Sequence, residues 1–202
     1  MIIGITGGIA SGKTAVSDYV KKMGYPVIDA DELSREIMEP GSPVLNEVRK
    51  TFGKAVFHAD GSLDRQALGR LVFSDRAARQ QLDAITHPAI GRLAQQRFSE
   101  HRDDALIFFV VPLLYESGMD QYCDSVWLVH VDDALREKRL MARDNIDAAY
   151  ARQKMASQMT EMERLSHRPE VIRNDGDLEQ LHKQVQALIK NSKNRKKGVD
   201  ET

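Results

Sequence analysis

The segment Gly7-Gly8-Ile9-Ala10-Ser11-Gly12-Lys13-Thr14 satisfies the pattern G-x-x-x-x-G-K-[ST], which can do phosphate chemistry. Gly7 and Gly12 give the chain angles that other residues resist, so successive N–H groups can turn toward a polyphosphate. A following helix adds partial positive charge at its N-terminus. Lys13 would neutralise the β- and γ-phosphates, and the Thr14 hydroxyl would ligate a Mg²⁺ bridging them. Such a loop marks a nucleoside triphosphate site without naming a reaction.

Further candidates could act on that phosphate. Val27-Ile28-Asp29-Ala30-Asp31 ends an apolar strand in two carboxylates, at the edge where parallel sheets bind ligands. Asp31 could orient an acceptor hydroxyl and take its proton; alternatively, Asp31 and Glu32 simply begin a helix as its N-cap or first-turn acids. Arg139 and Arg143 are four apart and share a helix face, where they could clamp a transferring phosphoryl or merely be solvated. Glu116 could sit near the substrate. His87-Pro88 reads first as a helix boundary, because the residue before proline avoids helical angles. The strand at 106–111 ends without an aspartate, which argues against a mechanical ATPase or switch GTPase. The six histidines and single cysteine show no zinc-ligand spacing.

These groups need a sheet to hold them. Strands are expected at Ile2–Thr6, Pro26–Asp29, Leu106–Val111, Ser125–Val131 and Val171–Arg173. Most are continuous apolar runs, as in parallel strands covered on both faces. Helices are expected at Thr14–Met23, Ala134–Arg143 and across Leu178, Leu181, Val185 and Leu188. The long gap between the second and third strands holds helical patterns at Pro43–Phe52, Asp64–Phe73 and Ala77–Ile85. An α/β protein with a helical insertion follows. The charged segment Arg139–Ser166 could be a mobile cover.

The chain has 202 residues, 42% hydrophobic and 29% charged, with a formal net charge of −1. It can build a core, and nothing in its balance marks a nucleic-acid binder. Its longest apolar stretch, Ala105–Leu114, is about half the ~20 residues a membrane span needs. No signal peptide is read at the start, and Cys123 has no partner for an internal disulfide. A cytoplasmic protein is expected. Five basic residues between Lys190 and Lys197 read as a solvated, disordered tail over 191–202.

Taken in order, GGIASGKT, VIDAD, Glu39-Pro40-Gly41, His87-Pro88, Val111–Glu116, Arg139/Arg143 and Asn174-Asp175-Gly176 resemble the dephospho-CoA kinase family over roughly residues 2–190. The resemblance implies a P-loop fold, with a mostly parallel five-stranded sheet flanked by helices. One domain over 1–190 would comprise a core (1–30, 105–135, 170–190), a helical CoA-binding region (31–104) and a lid (about 136–168). It implies transfer of the ATP γ-phosphoryl to the ribose 3′-hydroxyl of dephospho-CoA, with Mg²⁺ and no obligate protein partner. Catalysis would fall to Asp31, Lys13 and Arg139. ATP would be bound by Gly8, Ala10, Ser11, Gly12, Lys13, Thr14 and Ala15, with Arg143 and Asn174; Asp31, His87, Leu113 and Glu116 would meet the acceptor. The residues alone leave open a nucleoside or nucleotide kinase, or an ATP-sensing module using its basic tail. Two positions depart from the family pattern. Ala10 replaces a usual glycine in a slot expected not to need a glycine conformation, and Ser166–Glu170 carries Pro169 where an Ala-Asp pair is usual.

Overall fold

Glycine and proline punctuation, N-capping oxygens and apolar strands set the elements of the computed structural model, which describes residues 1–200, with side chains through Lys196. The strands are β1 (Ile2–Thr6), β2 (Val27–Asp29), β3 (Ile107–Val110), β4 (Ser125–His130) and β5 (Glu170–Arg173). They form one parallel sheet in the order β2-β3-β1-β4-β5. The central strand β1 is registered with Ile3 opposite both Phe108 of β3 and Ser125 of β4. Crossovers are needed between parallel neighbours, and helices supply them. They are α1 (Lys13–Lys22), α2 (Ala30–Glu36), α3 (Pro43–Phe52), α4 (Arg65–Ser74), α5 (Arg76–Glu100), α6 (Asp133–Asp144), α7 (Ala148–Ala156), α8 (Glu161–Ser166) and α9 (Leu178–Asp200).

Packing divides the chain into two units: Met1–Ile28 together with the chain from Glu100, and Asp29–Ser99. In the first, alternate residues of the sheet (Ile3, Ile5, Phe108, Val110, Trp127, Val129) meet Val16 and Val20 of α1 and Leu181, Val185 and Ile189 of α9. Each fully buried aliphatic side chain contributes about 1.5–3 kcal/mol, so this face fixes the ends of β1, β4 and β5. In the second unit, α3 starts on Ser42, whose hydroxyl accepts from Leu45 N–H at 3.0 Å, with Pro43 in its first turn and Gly53 (φ 71°) ending it. Asp64 caps α4 by accepting from Gln66 and Ala67 N–H.

Two expectations are corrected. His87-Pro88 is no boundary, for α5 runs straight through Pro88. Proline removes the amide that would bond the Ala84 carbonyl, at about 3 kcal/mol, but Ala89, Ile90, Ala94 and Phe98 beyond it are all buried and outweigh that loss. The disordered tail is likewise replaced, up to Asp200, by the last turns of α9. Ser192 is buried, the Lys193 ammonium lies 5.2 Å from the Tyr25 ring centre, and Arg195 donates to Glu170 Oε1 at 2.6 Å. Residues 201–202 of that expected tail lie outside the described residues. We expect deletion of residues 191–202 to lower the thermal midpoint by about 2–8 °C, from about 1–2 kcal/mol of lost contacts; calorimetry showing no shift would remove these contacts from the fold's stability.

Candidate active site

The phosphate loop joins β1 to α1. Gly7 (φ 154°) sits so tightly that a Cβ there would stand 2.5 Å from the Val129 carbonyl oxygen and 2.6 Å from Ser11 Oγ. Gly12 (φ 93°) is the N-cap of α1 and brings no side-chain cap, so no cap oxygen competes with an anion for the positive end of the helix. The Lys13 ammonium arches back over the loop, donating to the carbonyls of Gly7 at 2.9 Å and Gly8 at 3.2 Å. Thr14 is exposed on the first turn of α1, and Ala15 N–H donates to the Gly12 carbonyl at 3.0 Å. Asn174, buried at the end of β5, donates from Nδ2 to the Ser11 carbonyl at 2.8 Å and crowds Gly12. The structure therefore gathers Gly7, Gly8, Ser11, Gly12, Lys13 and Asn174 around one loop.

Ala10 departs from its sequence reading. It adopts φ 61°, the left-handed region, where a Cβ costs about 1–2 kcal/mol, so the slot does take a glycine-favouring conformation and the chain bears the strain.

The other expected residues are distributed differently. Asp29 is the N-cap of α2 and accepts from Asp31 N–H at 2.7 Å; Asp31 and Glu32 are first-turn acids. The strand does not continue past Asp29, so no alternation pairs the two carboxylates. His87, in the same unit, lies 3.6 Å from Asp83 one turn back on α5. In the first unit, the Leu113 carbonyl accepts from the Ser117 hydroxyl at 2.7 Å and closes the turn after β3. Glu116 Oε1 accepts from Met159 N–H at 3.0 Å and lies 3.6 Å from the Arg164 guanidinium. Arg139 is half-buried on α6. Arg143 donates from Nε to Asp144 at 2.8 Å, and Lys154 reaches the same carboxylate. Those hydrogen bonds, Arg143's first, hold the Asp144 carboxyl down to about 2. Arg143 is thus engaged by its neighbour, and the expected pair is not a matched clamp.

Sequence reasoning missed a buried polar cluster beside the loop. Arg136 and Arg164 are 7% and 1% exposed, respectively. Glu161, opening α8, lies 4.0 Å from Arg136 and 3.5 Å from Arg164, and its other oxygen is 2.6 Å from His130 Nδ1. Gln158 Oε1 accepts from Ile9 N–H at 2.8 Å. The signal for Arg136 was present, since it lies one turn before Arg139 on the same face. Thr160 and Glu163 form the capping box that starts α8 and sets Glu161 and Arg164 one turn apart. Burial also pushes the Tyr115 hydroxyl up to about 12, so it stays a neutral phenol stacked 4.0 Å from the His167 ring.

The dephospho-CoA kinase family model matches residues 1–180 of this chain. The chain belongs to that family. It is 43% identical over 192 residues to a dephospho-CoA kinase of Geobacter metallireducens, covering 94% of this chain and 96% of that one. It is 42% identical over 190 residues to one from Streptococcus pyogenes, again covering 94% and 96%. Among solved structures, a Thermus thermophilus protein aligns with a TM-score of 0.82 at 34% identity, covering 95% of this chain and 97% of that one. The dephospho-CoA kinase from Campylobacter jejuni aligns at 0.70 and 25%, covering 94% and 95%. Ala10→Gly should raise the thermal midpoint of this kinase-family chain by about 1–4 °C by releasing left-handed strain, net of glycine's greater unfolded freedom. An unchanged or lower midpoint would show that the loop bears no strain at Ala10.

Proposed function

We infer that this chain transfers the γ-phosphoryl group of ATP to the ribose 3′-hydroxyl of dephospho-CoA, giving coenzyme A and ADP, in the cytoplasm. The observation that carries the reading is a family match over 180 of 202 residues with an intact phosphate loop on its strand and helix. No described helix is long and apolar enough to cross a membrane.

The uncapped start of α1 and the Lys13 ammonium receive the β- and γ-phosphates. Thr14 offers one exposed hydroxyl oxygen, and the described residues hold no cluster of three or more acidic, His or Cys ligands. That donor set fits Mg²⁺ carried on the nucleotide, since this ion prefers hard oxygen ligands and keeps most of its sites for phosphate and water. When bound, it offsets charge on the phosphates. Asp31 orients the 3′-hydroxyl and accepts its proton as the new P–O bond forms and the bond to the β,γ-bridging oxygen breaks. Because the transition state is loose, positioning matters more than basicity. Arg139 meets charge on the transferring group. Leu113 and Glu116, on the turn after β3, together with His87, contribute to the acceptor site, and Arg143 and Asn174 to that for ATP.

With purified protein, ADP release from Mg-ATP should require dephospho-CoA rather than AMP, CMP or adenosine, and the product should be heavier by one phosphate. Turnover only with another acceptor would discard the substrate, and ATP binding without turnover would favour a sensing module. Asp31→Asn should lower kcat by about 10²–10⁴-fold with ATP KM within about threefold; normal turnover would leave Asp31 a first-turn acid only. Lys13→Ala should weaken ATP binding and turnover together, each by about tenfold or more, and unchanged kinetics would sink the loop assignment.

A further inference from the structure

The Arg136 guanidinium is buried on α6, beside the loop that carries the phosphate chemistry. A buried guanidinium must be offset by close partners, because its desolvation costs several kcal/mol. Its Nη2 is 2.9 Å from Asp133 Oδ1, its Nη1 is 4.0 Å from Glu161 Oε2, and its Nε is buried with no hydrogen-bond partner. A Cβ on Gly8 would clash with Nη1, and the guanidinium carbon would be 3.1 Å from it. The cation is therefore laid on the loop backbone, and Gly8 is the residue that admits it.

We propose that Arg136 is a positioning residue for nucleotide binding, bracing the Gly8 backbone and linking it through Glu161 to the 158–164 segment. The proposal rests on the reading that this loop holds the phosphates of ATP. Glu161 is the hub: one carboxylate oxygen faces His130, and the other faces both Arg136 and the buried Arg164. Arg164 in turn faces Glu116, whose oxygen takes Met159 N–H. Gln158, from the same segment, takes the N–H of Ile9. Adjacent loop residues are thus held from the Arg136 cluster and the segment it is paired with, Gly8 by packing against Arg136 and Ile9 by its hydrogen bond to Gln158. Without the guanidinium, Gly8 has room to relax, and the loop loses its alignment before any acceptor is involved. The effect falls on ATP binding.

The experiment pairs Arg136→Ala, Arg136→Lys and Gly8→Ala with the double variant Gly8→Ala/Arg136→Ala. Each is followed by Mg-ADP affinity from calorimetry, by KM for ATP and for dephospho-CoA, and by thermal midpoint. Arg136→Ala should weaken Mg-ADP binding and raise ATP KM by about tenfold, with dephospho-CoA KM and kcat within about threefold. Arg136→Lys should recover only part of this, because an ammonium lacks the fork that spans Asp133 and the loop. Gly8→Ala should be impaired by collision with Nη1, and the double variant should bind Mg-ADP at least about fivefold better than the product of the two single effects. Multiplicative effects, or Mg-ADP affinity within twofold of wild type in every folded Arg136 variant, would overturn the proposal. A parallel loss of both KM values, kcat and thermal midpoint would also overturn it, by making Arg136 a structural brace alone. Wild-type protein that binds Mg-ADP but leaves dephospho-CoA unphosphorylated would refute the substrate reading while leaving this affinity test intact; wild-type protein that does not bind Mg-ADP overturns both.

Discussion

A helix whose first turn carries no side-chain cap constrains the whole of the first unit. The start of α1 carries no side-chain cap, and the loop that leads into it takes positive φ at Gly7, Ala10 and Gly12. Such a backbone is weakly self-determining, so its neighbours must hold it. Asn174 bonds the Ser11 carbonyl from β5, Gln158 bonds the Ile9 amide, and Lys13 bridges the carbonyls of Gly7 and Gly8. The parallel sheet brings these groups together because β1, β4 and β5 are adjacent and end at the same edge. An anion-binding loop placed there gains the field of the helix and of Lys13 without a dedicated cage.

Charge burial follows the same need. Arg136 and Arg164 are nearly removed from solvent and Glu161 is half-buried between them, a costly arrangement that apolar side chains of similar volume could replace with equal or better stability. Its justification is geometric, since Glu161 can restrain only side chains that keep their distance from it. The two arginines and two glutamates, with Glu116 as the fourth, balance in sign, and the cluster reaches from the turn after β3 through α8 to α6. Segment 158–164 is fastened to the phosphate loop through named atoms rather than through apolar area.

Elsewhere tertiary burial overrode local preference. The proline in α5 has the chemistry of a helix end, yet the residues beyond it bury a continuous stripe and the helix continues. The basic end of the chain has the composition of a solvated tail, yet its lysines and arginine reach Tyr25, Glu170 and the Asp104 carbonyl from the surface of α9. Both cases turn on partners far away in sequence, whose contribution no local window contains.

The chain by itself determined the strands, several of the helices and the phosphate chemistry. The five strands were legible because continuous apolar runs between turn residues suit a sheet covered on both faces, and α3 was legible to its ends because Ser42, Pro43 and Gly53 act on adjacent atoms. The phosphate loop was legible because its function resides in consecutive backbone groups. Tertiary structure decided what these local signals could not contain: the strain at Ala10, the diversion of Glu116 to Arg164 and Met159, and the burial of Arg136 against Gly8. A side chain's charge and reach are properties of the residue. Which opposite charge it meets, and whether water is present when it does, depend on elements brought together only by folding.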